Sequence, residues 1–480
     1  MRSTTLETIT KFDYSKVRFD KENTVVMMTS IKAPAGEKVK RQPLNLVAVL
    51  DISGSMQGNK INHMKKSMSI LVDHLSENDK LGIVIFSTDF SKLADMELVT
   101  SSRKTELKGM IEGLRSRDTT NISGATLLGF EMVGVADGPI NRVILFTDGL
   151  PNVGVSDIPG LIDIVNKRPG KSTLSAFGFG TDHNPELLQS MAKAGGGNYY
   201  YIDNVDKIMT AFAQELGGLI SCYGQNIKIE AQFKPGVKEV DVVNTSYAWE
   251  YDDNNHKLTV RIPDIFAEEV KSVLAKVVLE PRTSALPREV TVADISIEFS
   301  NLMSKKTEKI ESKSKLEFVK DGEESKDRDK DVLKEEAILA AVEAQQKAIK
   351  LADAGDFVQA QALMGSAVCN LQGVGCDDMA HDIHLWCTNL NSRQYSTGVK
   401  YAGMAQSCSN AFGRTTGEEN DYTSNKIQRG MVNSFRAHDQ SSGHIEPAIL
   451  PKPQTIKVEP MPRVTKKSGK KRYNPMTDRN

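Results

Sequence analysis

Short apolar runs alternate with segments of helical spacing through the first half of the chain. The runs are "LNLVAVLD" (44–51), "LGIVIFS" (81–87), "NRVILFTDG" (141–149), "STLSAFGFG" (172–180) and "NYYYI" (198–202). Several are apolar almost without interruption, the pattern of strands covered on both faces. Between them Ile61, Met64, Met68, Leu71 and Leu75 recur on one helical face, as do Leu107, Ile111 and Leu114. "NPELLQSMAKAGG" offers Asn184 as a cap, Pro185 at the first helical position and glycines as the stop. These Met and Leu stripes read as core. Strands alternating with helices over residues 44–220 predict an α/β domain with a doubly wound, mostly parallel, Rossmann-like sheet.

Residues 221–320 follow a different rhythm. "NIKIEAQF", "KEVDVVN", "KLTVRIPDI", "KSVLAKVVLEP" and "VTVADISIEF" alternate with period two and are separated by turns such as "DDNN", which predicts an antiparallel β-sandwich. "VRFDKENTVVMMTSIKAP" in the N-terminal segment (1–43) has the same look, and a strand from it is expected to join that sandwich. After the charged linker "VKDGEESKDRDKD" the pattern turns helical. Over 331–410 a helical hairpin is expected, broken at Ala354-Gly355, with Asp356 capping its second helix. Residues 410–440 are polar and weakly patterned. From 441 to 480 Pro and Lys dominate, the composition of a disordered basic tail.

Composition narrows the class. With 480 residues, 39% of them apolar, the chain can fill several cores. A net charge of -1 from 61 basic and 62 acidic residues gives no general attraction to nucleic acid or anionic membrane, leaving only the basic tail (Lys466, Lys467, Lys470, Lys471, Arg472) as a candidate for either nucleic-acid contact or nuclear targeting. No signal-peptide core and no membrane-spanning run is found. Cys222, Cys369, Cys376, Cys387 and Cys408 are odd in number and scattered, which reads as free thiols in a reducing compartment. The expected location is the cytoplasm, with the nucleus as the alternative.

In an open parallel sheet, ligands bind beyond the carboxyl ends of the strands. The first apolar run stops there at Asp51, with Ser53 and Ser55 following; "VILFTDG" brings Asp148 to the same edge; and "RDTTNISGATL", ahead of a helix, offers Thr119 and Thr120. Hydroxyls and carboxylates without His or Cys suit Mg²⁺ or Mn²⁺ rather than zinc. Capping of the following helix is the simpler use of either serine taken alone.

"DISGSM", "TTN" and "FTDG", in that order, resemble the von Willebrand factor A (VWA) domain and its metal-ion-dependent adhesion site, over residues 44–220. The resemblance maps the metal set onto Asp51, Ser53, Ser55, Thr120 and Asp148, with Thr120 taken over Thr119 because it directly precedes Asn121. It implies hydroxyls on the ion, aspartates acting largely through water, and an under-neutralised Mg²⁺ (or Mn²⁺) that captures an Asp or Glu carboxylate of a partner protein. The layout of an A domain with a β-rich segment and a helical hairpin is also similar to intracellular multidomain members. No RING framework can be built from five cysteines, so ubiquitin-ligase activity is not implied.

Two other classes stand beside this non-enzymatic binding reading. A metal-dependent phosphatase or hydrolase could use Asp51, but the dehalogenase-type arrangement needs a second carboxylate where Ser53 stands; Lys60, Lys65 and Lys66 offer phosphate partners but read as solvated helix lysines. A structural assembly component with an idle metal site is the third. Elsewhere, Cys376, His381, His384 and Cys387 have zinc-like chemistry in an unusual spacing, within what otherwise reads as an amphipathic helix.

Overall fold

The computed structural model describes residues 5–34, 42–117, 119–134, 140–148, 151–168, 172–180, 183–202, 205–243 and 247–411. The basic tail at 441–480 lies outside the described residues, as do Asp118 and Gly149 of the loops flanking the candidate site.

Strand β4 (Leu44–Asp51) is the centre of a six-stranded sheet. It pairs in parallel with β5 (Lys80–Phe86) and β7 (Ile140–Thr147), and β8 (Thr173–Phe179) and β9 (Gly196–Ile202) continue the parallel order. β6 (Phe90–Leu98) closes the other edge antiparallel to β5, giving the order β6-β5-β4-β7-β8-β9. Every side chain of β4 is buried, on alternating faces. Val47 and Val49 pack with Ala125 and Phe130 of α3 (Ile122–Gly134) and Leu161 of α4 (Ile158–Asn166). Leu46, Ala48 and Leu50 pack with Met64, Met68 and Leu71 of α1 (Asn59–His74), Leu107 of α2 (Ser101–Glu112) and Phe212 of α6 (Val205–Ile220). Two covered faces explain why the strands read as unbroken apolar runs. The capping expected at "NPELL" is present: in α5 (Pro185–Gly195) Asn184 accepts from Leu187 N at 3.1 Å and Gly196 is left-handed at φ 68°.

β6 did not emerge from the sequence pattern. Its side chains are mostly exposed, so "FSKLADMEL" lacks an apolar run and owes its place to backbone pairing with β5.

Two further sheets, antiparallel apart from the parallel pairing of the edge strand 16–18 with 317–319, flank this unit in sequence. One has the order β1-β3-β14-β11, from β1 (Glu7–Phe12), β3 (Asn23–Lys32), β14 (Val270–Leu279) and β11 (Val237–Val242). The other is β12-β13-β10-β15-β16-β2, from β12 (Ala248–Asp252), β13 (Lys257–Phe266), β10 (Cys222–Phe233), β15 (Glu289–Asn301), β16 (Lys306–Val319) and β2 (Lys16–Arg18). Val25, Met27 and Val277 of the first share a core with Ile229, Val260 and Ile295 of the second. Strands preceding the α/β unit thus complete both sheets.

C-terminal to these lie α7 (Lys330–Asp353), α8 (Phe357–Gly373), α9 (Asp377–Cys387) and α10 (Thr397–Ala411), two helices more than the expected hairpin. The break is where the sequence puts it: Gly355 is left-handed at φ 82° and Asp356 accepts from Gln359 N at 3.0 Å. α10 reaches back to the α/β unit, where Tyr401 donates to the carbonyl of His183 at 2.7 Å and meets Tyr201 edge-on.

The six-stranded antiparallel sheet meets the α/β sheet at the starts of its parallel strands. Arg142, near the start of β7, bonds Asp264 of β13, and a Cβ on Gly196 would lie 2.4 Å from Pro263. Asp148 follows Thr147 at the far end of β7, six residue steps or roughly 20 Å from Arg142. The edge bearing Asp51 and Asp148 is therefore not the one the six-stranded antiparallel sheet meets.

Candidate metal centre

Asp51 is the last residue of β4 and is fully shielded from solvent. Its Oδ1 accepts from Ser53 N at 2.7 Å, and its Oδ2 accepts from Thr147 Oγ1 at 2.5 Å. Burial pushes its pKa up from 3.8 to about 6 despite these bonds, and the neighbouring Asp148 adds to the rise. The strand ends because the chain turns at once into a short 3-10 segment, Gly54–Met56.

The serines do not serve as helix caps. Ser53 precedes the 3-10 turn without a side-chain capping bond, and α1 begins after Gly58, whose φ of 84° suits glycine. Instead Ser53 Oγ and Ser55 Oγ lie 3.0 Å apart, and Ser55 Oγ donates to Asp148 Oδ1 at 2.8 Å. Asp148, also buried, accepts from Lys60 Nζ at its other oxygen. Asp51, Ser53, Ser55 and Asp148 thus form one hydrogen-bonded chain from two loops nearly a hundred residues apart.

Thr120 is buried in the third loop, and the hydrogen bonds described for it are all on its backbone. Its N–H donates to Asn152 Oδ1 at 2.9 Å, and its carbonyl accepts from Asn152 N and Val153 N at 3.1 and 3.3 Å. The same loop is laced to the others, with Arg117 N donating to the carbonyl of Ile52 at 2.5 Å and Asn121 N to that of Ser87 at 2.8 Å. The Thr119 hydroxyl is engaged elsewhere, 2.5 Å from Thr88 Oγ1.

Three contributors escaped the sequence reading. Lys60, which reads in the sequence as a solvated helix lysine, is bound to Asp148. Thr147, adjacent to Asp148 in "FTDG", fixes Asp51. Asn152, which bridges the second and third loops, had no signal in the sequence.

The donor set fits a hard dication. It offers only oxygens, from two carboxylates and serine hydroxyls, and Ser55, which gives its proton to Asp148 and accepts from Ser53, keeps one lone pair for an ion. Against the two buried carboxylates Lys60 supplies one positive charge. The other candidate cluster is not assembled. Cys376 faces the helical core with Trp386, whereas His381 and His384 are exposed; among the described residues no three His, Cys, Asp or Glu side chains are placed to hold a metal ion.

Residues 45–214 match the von Willebrand factor type A domain family. "Uncharacterized protein YfbK" of Escherichia coli (strain K12) is 32% identical over 196 residues, covering 40% of this chain and 34% of that protein. Inter-alpha-trypsin inhibitor heavy chain H3 of Mus musculus is 28% identical over 244 residues, 48% of this chain and 26% of that one. The chain therefore spans about a third of the length of the first of these relatives and about a quarter of the second. Among solved structures, a von Willebrand factor type A protein from Catenulispora acidiphila aligns with a TM-score of 0.66 at 15% identity, over 83% of this chain and 96% of that one. The ArnB paralog VWA2 from Sulfolobus acidocaldarius aligns at 0.59 with 18% identity, over 85% and 98%. Both show that the fold is shared well beyond the α/β unit.

Proposed function

Residues 45–214 being a VWA domain set beside two antiparallel sheets and a C-terminal helical unit, we propose that the protein is a divalent-metal-dependent protein-binding module. Domains of this type generally mediate protein–protein contacts. Ser53, Ser55 and Thr120 would hold Mg²⁺ or Mn²⁺ by their hydroxyls, with Asp51 and Asp148 behind them. A bound ion supplies a positive centre for an anionic oxygen, and the occupant we assign is an Asp or Glu side chain of a partner. One observation carries this reading: the hydrogen-bonded chain Asp51–Ser53–Ser55–Asp148, in which neither serine caps a helix.

A binder is preferred to a hydrolase for a geometric reason. The Asp51 carboxylate is shut off from solvent and each of its oxygens already accepts a hydrogen bond, which argues against its serving as an exposed nucleophile, and Ser53 stands where a second carboxylate would be needed. Cys369, Cys376 and Cys387 carry free thiols, which supports a cytoplasmic setting in this reading. Among the described residues, no helix is long and apolar enough to cross a membrane.

The test is capture of partners on the immobilised full chain in Mg²⁺, followed by elution with chelator, for the wild type and Asp51→Ala. Partners released by chelator and absent from the variant are expected. Capture indifferent to both would overturn the proposal, and phosphoester turnover lost in Asp51→Asn would favour the hydrolase.

A further inference from the structure

We infer that Lys60 is a built-in competitor of the divalent ion, an ammonium that holds Asp148 in the ion-free site and sets how tightly the ion binds. This rests on the metal-site reading above and concerns its regulation.

The position of Lys60 is the first observation. It is the second residue of α1, in a first turn that carries no acidic residue and follows a glycine with no capping side chain. The start of a helix is electropositive, so a lysine there is disfavoured by the helix itself. Its ammonium is directed onto Asp148 Oδ2.

The second observation is the sharing of one carboxylate. Ser55 Oγ donates to Asp148 Oδ1 while Lys60 holds Asp148 Oδ2. A cation coordinated by Ser55 would therefore stand within a few ångströms of the Lys60 charge. The pair is also sheltered, with the Lys60 side chain 24% exposed and that of Asp148 at 0%, so screening by water is incomplete. Even with water-like screening, a single and a double positive charge several ångströms apart repel enough to weaken binding about tenfold.

Two consequences follow. Without the ion, Lys60 offsets part of the repulsion between buried Asp51 and Asp148, so the empty site is tolerated. With the ion, Lys60 has to yield Asp148 or remain as a repelling neighbour. Either way the site responds to the free concentration of the ion instead of staying permanently loaded.

The experiment is calorimetric titration of Mg²⁺ into the full chain for the wild type, Lys60→Gln and Lys60→Arg, with Mg²⁺-dependent thermal melts alongside. Gln keeps a neutral donor of similar reach, and Arg keeps the charge. The expected result is that Lys60→Gln binds Mg²⁺ at least roughly tenfold more tightly than the wild type, with a larger rise in Tm on adding Mg²⁺, while Lys60→Arg behaves as the wild type. Binding seen only in Lys60→Gln supports the inference equally. Lys60→Ala provides the same comparison should Lys60→Gln misfold, since Lys60 is outside the apolar cores. Wild-type binding of Mg²⁺ that Lys60→Gln leaves unchanged or weakens, or Lys60→Arg tightening as Lys60→Gln does, overturns the role of Lys60 alone. Absence of Mg²⁺ binding in every variant overturns the metal-site reading together with it.

Discussion

Arg142 Nη2 donates to Asp264 Oδ2 at 2.9 Å, joining the α/β sheet to the six-stranded antiparallel sheet with both side chains withdrawn from solvent. Glu215 of α6 extends the network. Its Oε1 lies 3.5 Å from Arg142 Nε and accepts from Ser175 Oγ at 2.6 Å, and its Oε2 accepts from Asn198 Nδ2 and Tyr200 OH at 2.9 and 3.0 Å. The last helix of the α/β unit and the sheet that follows it are thus fixed by one buried guanidinium.

Arg142→Met should therefore be severe. It leaves Asp264 and Glu215 buried without their cation, a loss of about 3–5 kcal/mol by analogy with broken buried pairs. Urea unfolding of the full chain measures it. A loss below about 1 kcal/mol would show that water or rearrangement satisfies the two acids.

Asp51→Ala should abolish Mg²⁺ binding in calorimetry while the circular dichroism spectrum stays that of the wild type. The carboxylate anchors Ser53 N and Thr147 Oγ1 but is not part of the apolar cores, so the sheet is expected to survive. A variant that still binds Mg²⁺ like the wild type would remove Asp51 from the site.

The raised pKa of Asp51 gives the metal-free protein a defined pH dependence. Folding lifts it from 3.8 to about 6, so the folded state holds this proton more firmly than the unfolded chain does. The stabilising contribution is complete below about pH 4 and is lost as pH rises through about 6, a change of about 3 kcal/mol. Unfolding free energies of the metal-free wild type and Asp51→Asn, compared between pH 4 and 7, isolate it. The wild type should lose stability relative to the variant as pH rises, and saturating Mg²⁺ should suppress the difference. Parallel curves without metal would contradict the burial argument.

Tyr401 fastens α10 to the α/β unit through its hydroxyl and its ring, and the two parts separate by mutation. Tyr401→Phe removes the hydroxyl and its bond to the His183 carbonyl, about 1 kcal/mol, whereas Tyr401→Ala also empties the site between His183 and Tyr201, about 3–5 kcal/mol. Amide exchange across Thr397–Ala411 should rise slightly in the first and strongly in the second. Equal protection in all three proteins would place the docking energy elsewhere.

How far the sequence could be read depends on what each element rests on. β4 was legible because Val47 and Val49 face one core and Leu46, Ala48 and Leu50 the other, so burial itself writes the pattern. Asp356 and Asn184 were legible because a cap is a local bond between neighbours in sequence. α10 was not, because "TGVKYAGMAQSCSNA" is weakly patterned and its hold on the fold lies in bonds to residues distant in sequence, such as Tyr401 to the His183 carbonyl, Gln189 to the Met404 carbonyl at 3.2 Å and Gln345 to Gln406 at 2.8 Å. At the site, the residue types and their order were visible. The partners Lys60 and Asn152 were not, since each bond crosses between loops that only the folded chain brings together.

The pairing of β3 with β14, Lys32 beside Val270, also bears on the order in which the protein is born. When β3 leaves the ribosome its partner is about 240 residues from being made, a delay on the order of ten to fifty seconds at ordinary translation rates. Over that interval Val25, Met27 and Ile31 have no lasting shelter, while the VWA unit, complete by Ile220, can already close around itself. The nascent chain thus carries a finished head on an open sticky strand, and that interval is when chaperones would be needed most.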